Sequence, residues 1–171
     1  RFDETIQSLL AARSRIGQPH RLVLTSHIET KGRSANHADG YGRRGALLEF
    51  GVHLLDLVRL LTGEDVETVQ CVLNQIPPDH PETFAQATLK TRGGIPCCLE
   101  VARVDAGRVG RVEWIGSEGQ LLADWTNRLI RHTDRASHSE EWSTPESRTV
   151  LTTLQEFVRA IRQETPMPIT G

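Results

Sequence analysis

The chain is poor in cysteine and in aromatic residues, and its charges nearly balance. Of its 171 residues, three are cysteines, and Cys97 and Cys98 are adjacent, so on a strand their side chains would point to opposite faces. We therefore expect no disulfide framework, and we expect a reducing, cytoplasmic setting. The 20 basic and 22 acidic side chains give a formal net charge of −2, which favours neither nucleic acid nor an anionic membrane as a partner.

Long hydrophobic runs and an opening methionine are also missing. The apolar runs are far shorter than the roughly 20 residues that a membrane-spanning helix needs, and no signal-peptide pattern opens the sequence. At 171 residues the chain is long enough for one domain with its own core. Because it begins with Arg1 and stops soon after a helical pattern, we expect it to be part of a longer protein.

Metal-binding and dinucleotide-binding motifs are not supported either. Glu49 and His53 could supply two ligands from one helix, but the spacing is not H-E-x-x-H and no C-x-x-C occurs, so we predict no metal site. Residues 40–45, GYGRRG, match G-x-G-x-x-G, but the polar residues before them cannot form the buried strand that this fingerprint requires. Gly45 is instead expected to free the start of a helix, with Arg43 and Arg44 beside an anionic or hydroxylated ligand or solvent.

Apolar spacing predicts three helices. Asp3 is a candidate N-cap for the first, which continues towards Gly17, and residues 45–61 form the second. Thr144 is the candidate N-cap of the last, because Pro145 follows it at the first helical position.

Between the helices the signals are those of strands and turns. Residues 30–44 are predicted to form a polar loop, and residues 134–143 to be irregular and exposed. Period-two alternation predicts strands at 20–29, 66–75, 83–91, 95–104, 108–115, 120–124 and 127–132. Such consecutive strands predict an α+β fold with an open, mostly antiparallel β-sheet and helices packed on one face. The opposite face of the sheet would be left without helices, so we expect a second copy of the chain to cover it in a homo-oligomer that forms through this open sheet face.

The helix predicted over residues 45–61 has the most informative polar face. At 100° per residue, Glu49, His53 and Asp56 fall within about 60° of one another, opposite a broad apolar arc. A histidine between carboxylates is suited to proton transfer near neutral pH, and solvated decoration of an amphipathic helix is the alternative. Gly51 lies in the apolar arc, where glycine costs about 1 kcal/mol relative to alanine, so a packed element or a ligand is expected close to it. On the strand at 20–29, His27 is a candidate to border the same cleft, with a structural role as the alternative.

Residues 44–59, RGALLEFGVHLLDLVR, resemble the substrate-domain helix of the Gfo/Idh/MocA oxidoreductases, the family of glucose–fructose oxidoreductase and inositol dehydrogenase. Three further stretches agree in order and spacing: RFD at 1–3, IGSEG at 115–119, and FVRAI at 157–161 followed by Pro166 and Pro168. The resemblance implies that residues 1–171 are a single C-terminal substrate-binding and oligomerisation domain. It also implies an N-terminal Rossmann domain, absent from this chain, that binds NAD or NADP.

The resemblance also implies roles for particular residues. His53 would be the acid/base that exchanges a proton with the substrate hydroxyl. Glu49 occupies the place commonly held by aspartate, one helical turn earlier, and would orient the imidazole and stabilise its charged form. Tyr41 would stand in for a tryptophan that the family often has before this helix, while Arg43 and Arg44 depart from the usual glycine run.

The predicted function is that of the substrate domain of an NAD(P)-dependent oxidoreductase acting on a sugar, a cyclitol or a related hydroxylated small molecule. The chain alone is expected to be inactive, because the cofactor performs the hydride step. A non-catalytic assembly or ligand-sensing α+β domain is the alternative from another class. A hydrolase or lyase that uses Glu49 and His53 without nicotinamide is a third possibility.

Overall fold

A computed structural model of the chain describes residues 1–29, 45–74, 81–104 and 106–166. Its helices are α1 (Glu4–Ala11), followed by a 3-10 turn (Arg13–Ile16), then α2 (Val52–Thr62), which a π-helical turn (Leu47–Gly51) precedes, and α3 (Thr149–Gln163). Its strands are β1 (Pro19–Glu29), β2 (Val66–Asn74), β3 (Phe84–Thr91), β4 (Pro96–Val104), β5 (Val109–Gly116), β6 (Gly119–Asp124), β7 (Leu129–Asp134) and β8 (Ser139–Ser143).

The strands of the described ranges form one sheet in the order β2-β3-β4-β1-β5-β6-β7-β8. β1 lies in the middle, parallel to β4 and antiparallel to β5, and each other neighbouring pair is antiparallel. The predicted α+β class with an open, mostly antiparallel sheet is therefore confirmed. None of the described helices combines the length and apolar character that a bilayer crossing requires.

The core lies on the sheet face that α1 and α2 cover. On β1, Leu22 and Leu24 are fully buried on this face, as the alternation predicts. Trp114 on β5 lies beside Leu22 in the sheet and is also fully buried. Asp3 caps α1 as predicted, since its carboxylate accepts from the backbone N–H groups of Thr5 and Ile6.

The segment predicted to be irregular between residues 134 and 143 contains the edge strand β8, so that prediction is wrong. β8 has the sequence SEEWS, which lacks the apolar alternation of a half-buried strand. It is held by its pairing with β7 and by Trp142, whose indole Nε1 donates to the Ser8 hydroxyl at 3.0 Å. Tertiary contacts, rather than local pattern, therefore place this strand.

The last helix begins at Thr149 and not directly after Thr144, which corrects the predicted N-cap. The Thr144 hydroxyl is buried and hydrogen-bonds the Thr5 hydroxyl at 2.8 Å, so it is not available to cap a helix. The apolar stripe of α3 is exposed by 43–73% at Val150, Leu151, Leu154, Phe157, Val158 and Ile161.

Candidate active site

A cavity of about 790 Å³ opens beside α2 and contains His53. This volume is typical of small-molecule sites, which range over about 300–1,000 Å³. Its floor is the end of β1, and its walls come from the N-terminal segment, α2, the approach to β5, the turn after β6 and the start of α3. Its lining includes Ser26, His53, Asp56, Arg108, Trp125 and Thr149.

His53 is exposed at this cavity on the first turn of α2. Its imidazole makes no hydrogen bond or ion pair with another residue in the described part of the chain. His53 therefore lies at a concave surface, but neither Glu49 nor Asp56 forms a hydrogen bond or ion pair with its imidazole. The reason is that an arginine engages each of those carboxylates.

Asp56 is bound by Arg1, whose guanidinium nitrogens donate to the carboxylate oxygens at 2.6–3.0 Å. This hydrogen bonding lowers the pKa of Asp56 below its ordinary value, and partial burial opposes the effect. Asp56 therefore stays ionised and paired beside His53.

Glu49 is engaged from the sheet, because Arg103 of β4 donates to its carboxylate. Both side chains are mostly buried, at 17% exposure for Arg103 and 19% for Glu49. The π-helical turn over Leu47–Gly51 contains Glu49, so the 100° projection does not describe its direction relative to His53. Glu49 lies one turn before the histidine, as predicted, but its observed partner is Arg103.

The start of this helical segment is occupied by Glu82. Its carboxylate accepts from the Leu47 N–H at 3.0 Å, and its backbone carbonyl accepts from the Ala46 N–H at 2.9 Å. A Cβ at position 45 would overlap the Glu82 carboxylate, which explains the glycine there. The start of the segment thus holds a protein carboxylate, while residues 40–44 of the GYGRRG motif lie outside the described residues.

Gly51 has a different explanation from the one expected. A Cβ there would meet the side chain of Leu47, one π-helical turn earlier in the same segment, at 2.7 Å. The closest protein neighbour is therefore within the helical segment itself and not on a second element.

His27 is not brought to the cavity. Ser26 and Ile28 line it, and His27 between them points to the opposite face of the sheet because side chains alternate along a strand. There its Nε2 lies 2.6 Å from the Glu100 carboxylate of β4. The expectation that His27 borders the substrate cleft is corrected by this alternation. Tyr41, Arg43 and Arg44 lie outside the described residues.

Sequence reasoning missed Ser26, Arg108 and Trp125 as cavity residues. Ser26 carries the clearest signal, since it is a polar residue on the apolar side of a strand, between Leu24 and Ile28. Trp125 follows β6 in a turn, a position where Gly, Pro, Asn, Asp and Ser predominate, so its large aromatic side chain is the signal that could have been noticed. Within the described ranges, no group of three metal-ligating side chains occurs, at the cavity or elsewhere.

The chain is similar to known proteins across most of its length. Residues 5–122 match the family model of the GFO/IDH/MocA C-terminal domain. A dTDP-3,4-didehydro-2,6-dideoxy-alpha-D-glucose 3-reductase from Actinomadura kijaniata is 27% identical over 126 residues, which cover 68% of this chain and 37% of that protein.

Solved structures show the same fold. The UDP-N-acetylglucosamine 3-dehydrogenase from Acidithiobacillus ferrooxidans matches 98% of this chain with 52% of its own, at a TM-score of 0.81 and 22% identity. An oxidoreductase from Agrobacterium radiobacter in complex with NAD+, L-tartaric acid and magnesium matches 98% of this chain with 54% of its own, at a TM-score of 0.79 and 17% identity. The chain thus spans about half the length of these solved relatives and 37% of the Actinomadura relative. On the strength of the family match, this chain belongs to the GFO/IDH/MocA family, as its C-terminal domain.

Proposed function

We propose that this domain binds the substrate of an NAD(P)-dependent oxidoreductase and that His53 exchanges a proton with the substrate's reacting hydroxyl. The observation that carries the proposal is the exposed imidazole of His53 at a cavity large enough for a small molecule, with no partner among the described residues. Oxidation of a carbinol requires a base for the hydroxyl proton, and reduction of a carbonyl requires an acid. An imidazole without a competing partner is free to do either.

The paired carboxylates on both sides of His53 support this assignment. Asp56 is bound by Arg1 and Glu49 by Arg103, so neither is free to take the substrate proton in place of the histidine. Both pairs also fix the charge around α2, because each carboxylate is compensated by a guanidinium. In this proposal Glu49 pairs with Arg103 and so anchors its helical segment to the sheet. Its direct effect on the imidazole is secondary.

The nicotinamide of NAD or NADP would supply the hydride chemistry when bound. At the start of the α2 segment, Glu82 accepts from the Leu47 N–H, so this N–H is not available to the pyrophosphate. The part of this chain's work that the structure supports is binding, orientation and proton transfer at the substrate.

The proposed substrate is a sugar, a cyclitol or a related hydroxylated compound. Two relatives act, by their names, on nucleotide-linked sugars, which favours the sugar among these. The cavity lining agrees with a hydroxylated ligand, because it combines hydroxyl side chains with apolar ones.

Turnover measured with NAD(H) and NADP(H) tests the proposal. We expect the protein at its natural full length to oxidise or reduce one member of a panel of sugars and cyclitols, followed at 340 nm. We expect residues 1–171 alone to show no hydride transfer with the same panel. Robust turnover by residues 1–171 alone would show that the cofactor site lies in this domain and would contradict the proposed division of labour.

An assembly role is the second candidate, and the uncovered sheet face favours it. No described helix lies on this face, and it carries both apolar side chains and the His27–Glu100 pair. We expect a homo-oligomer formed through this face, which light scattering of the purified protein would detect. Substitution of Val23 on this face by arginine should dissociate it, and a monomer in the unsubstituted protein would refute this role.

A further inference from the structure

We infer that Trp125 forms a platform for a pyranose ring in the His53 cavity, with Ser26 and Arg108 binding the ring's hydroxyl and an anionic substituent. The inference names a ligand class for the proposed substrate site and rests on that function only in the choice of a sugar. The recognised chemistry is a six-membered sugar ring that carries a phosphate.

Trp125 is positioned as a platform by Gly110. Gly110 lies inside β5, on the buried face of the sheet, and a Cβ there would overlap the Trp125 indole. The backbone N–H of Trp125 also donates to the Gly110 carbonyl at 2.9 Å. The five-membered ring of the indole therefore lies against the strand, while the side chain remains partly exposed and lines the cavity. A side chain larger than glycine at 110 would remove this arrangement.

Ser26 lies directly beside this platform. It pairs with Gly110 in the register between β1 and β5, so its side chain lies next to the indole on the same face of the sheet. Ser26 is only 7% exposed, and its hydroxyl makes no hydrogen bond to any residue of the described ranges. This hydroxyl is not one of the described polar atoms that are fully buried without a partner, so it is accessible, and Ser26 lines the cavity. A sugar hydroxyl at the cavity floor could therefore donate to it or accept from it.

Arg108 supplies a positive charge at the edge of the same cavity. The segment between β4 and β5 brings it to the end of β1, and it has no ion pair with any described residue. Other charged side chains of the lining already have partners. Asp3 caps α1, Asp56 is bound by Arg1, and Glu29 has an interaction partner. Arg108 is thus the described cation available to an anionic ligand, and guanidinium groups bind phosphate oxygens well.

These contacts favour a pyranose over an acyclic polyol. The C–H bonds on one face of a hexopyranose present a flat, weakly positive surface, which matches the negative face of an indole. A hydroxyl at the ring edge would reach Ser26, and a phosphate would extend towards Arg108. The phosphate could belong to a sugar phosphate or to a nucleotide-linked sugar, and different probes separate these two sources.

Ligand-observed NMR tests the inference on the full-length protein without added cofactor, so that a failure of hydride transfer does not affect the readout. The probes are D-glucose, D-glucose 6-phosphate and UDP-glucose. We expect saturation transfer from the protein to be strongest at the C–H protons on one face of the sugar ring. Whichever of D-glucose 6-phosphate and UDP-glucose binds more tightly shows whether the phosphate belongs to a sugar phosphate or to a nucleotide-linked sugar. Absence of binding by all three probes would overturn the inference.

Substitutions of Trp125 and Arg108 test which side chain contacts which part of the ligand. Trp125→Leu keeps an apolar side chain against Gly110 but removes the aromatic face, so it should weaken binding of every probe about tenfold. Trp125→Phe should lose only about threefold. Arg108→Gln should weaken the phosphorylated probes about tenfold and leave glucose unchanged. Trp142→Phe is the matched control, because Trp142 donates to Ser8 away from the cavity, and it should change nothing.

The inference fails if Trp125→Leu and Trp125→Phe both bind like the unsubstituted protein. It also fails if Arg108→Gln weakens glucose and the phosphorylated sugars equally. Circular dichroism tests whether each variant is folded. If Trp125→Leu does not fold, the binding results for Trp125→Phe and Arg108→Gln test the inference. Normal sugar binding with no hydride transfer would keep this inference and refute the proposed oxidoreductase role, so the two can fail separately.

Discussion

Replacement of His53 by asparagine is expected to lower kcat of the full-length enzyme by about 10²- to 10⁴-fold, the range that a general acid/base contributes. Asparagine retains hydrogen-bonding capacity but cannot accept or release a proton near neutral pH. Because His53 is exposed on α2 and has no hydrogen bond or ion pair with a described residue, we expect no loss of stability and a small change in KM. Steady-state kinetics with the preferred nicotinamide and sugar would measure the effect.

A matched control for this substitution is His20→Asn. His20 is also exposed, near the start of β1, whereas the cavity is at the other end of that strand. The strand rise of about 3.3 Å per residue puts more than roughly 20 Å between His20 and Ile28, so turnover should be unchanged. If His53→Asn retains full turnover, the acid/base assignment is wrong and the non-catalytic role gains support.

Replacement of Trp114 by alanine should have the largest effect on stability, about 3–5 kcal/mol of the free energy of unfolding. Trp114 is fully buried on β5, and its sheet neighbours Leu22 and Leu121 are fully buried on the same face. Truncation leaves a large cavity under the 3-10 turn that follows α1. Urea unfolding followed by circular dichroism would measure the loss as a lower midpoint.

Two further variants show how much of the Trp114→Ala loss in unfolding free energy comes from the buried ring. Trp114→Phe should cost much less, because it also removes an indole N–H that is buried without a partner among the described residues. Phe157→Ala on α3 should cost less than about 1 kcal/mol, since Phe157 is 47% exposed. Equal losses for Trp114→Ala and Phe157→Ala would contradict the burial pattern described here.

The main elements are predictable from the sequence because local signals and tertiary packing agree in them. The alternation of Leu22, Leu24 and Ser26 correctly predicts the buried face of β1. Gly93 and Gly94, a pair typical of hairpin turns, lie between the antiparallel strands β3 and β4. β8 and the start of α3 are not predictable in this way, because Trp142 and Thr144 are placed by Ser8 and Thr5, which are distant in the sequence.

For the proposed site, the sequence pattern predicts only where His53 lies on its helix. The helical pattern places His53 on a polar face, and the structure adds the cavity beside it. The partners of the neighbouring acids lie on other elements: Arg1 binds Asp56 and Arg103 binds Glu49 across more than 50 residues of sequence. A helical projection does not include such contacts. Ser26 and Trp125 become neighbours only through the register of β1 with β5.

The position of β1 has a consequence for how this chain folds. β2 to β4 are joined as successive antiparallel neighbours, as are β5 to β8, so each group can form from local contacts. β1 is synthesised before either group, yet its partners are β4 and β5. Insertion of this strand closes long loops and carries a high entropic cost. If the two groups form first, their inner edges stay unpaired until β1 inserts, and we expect this stage to favour aggregation.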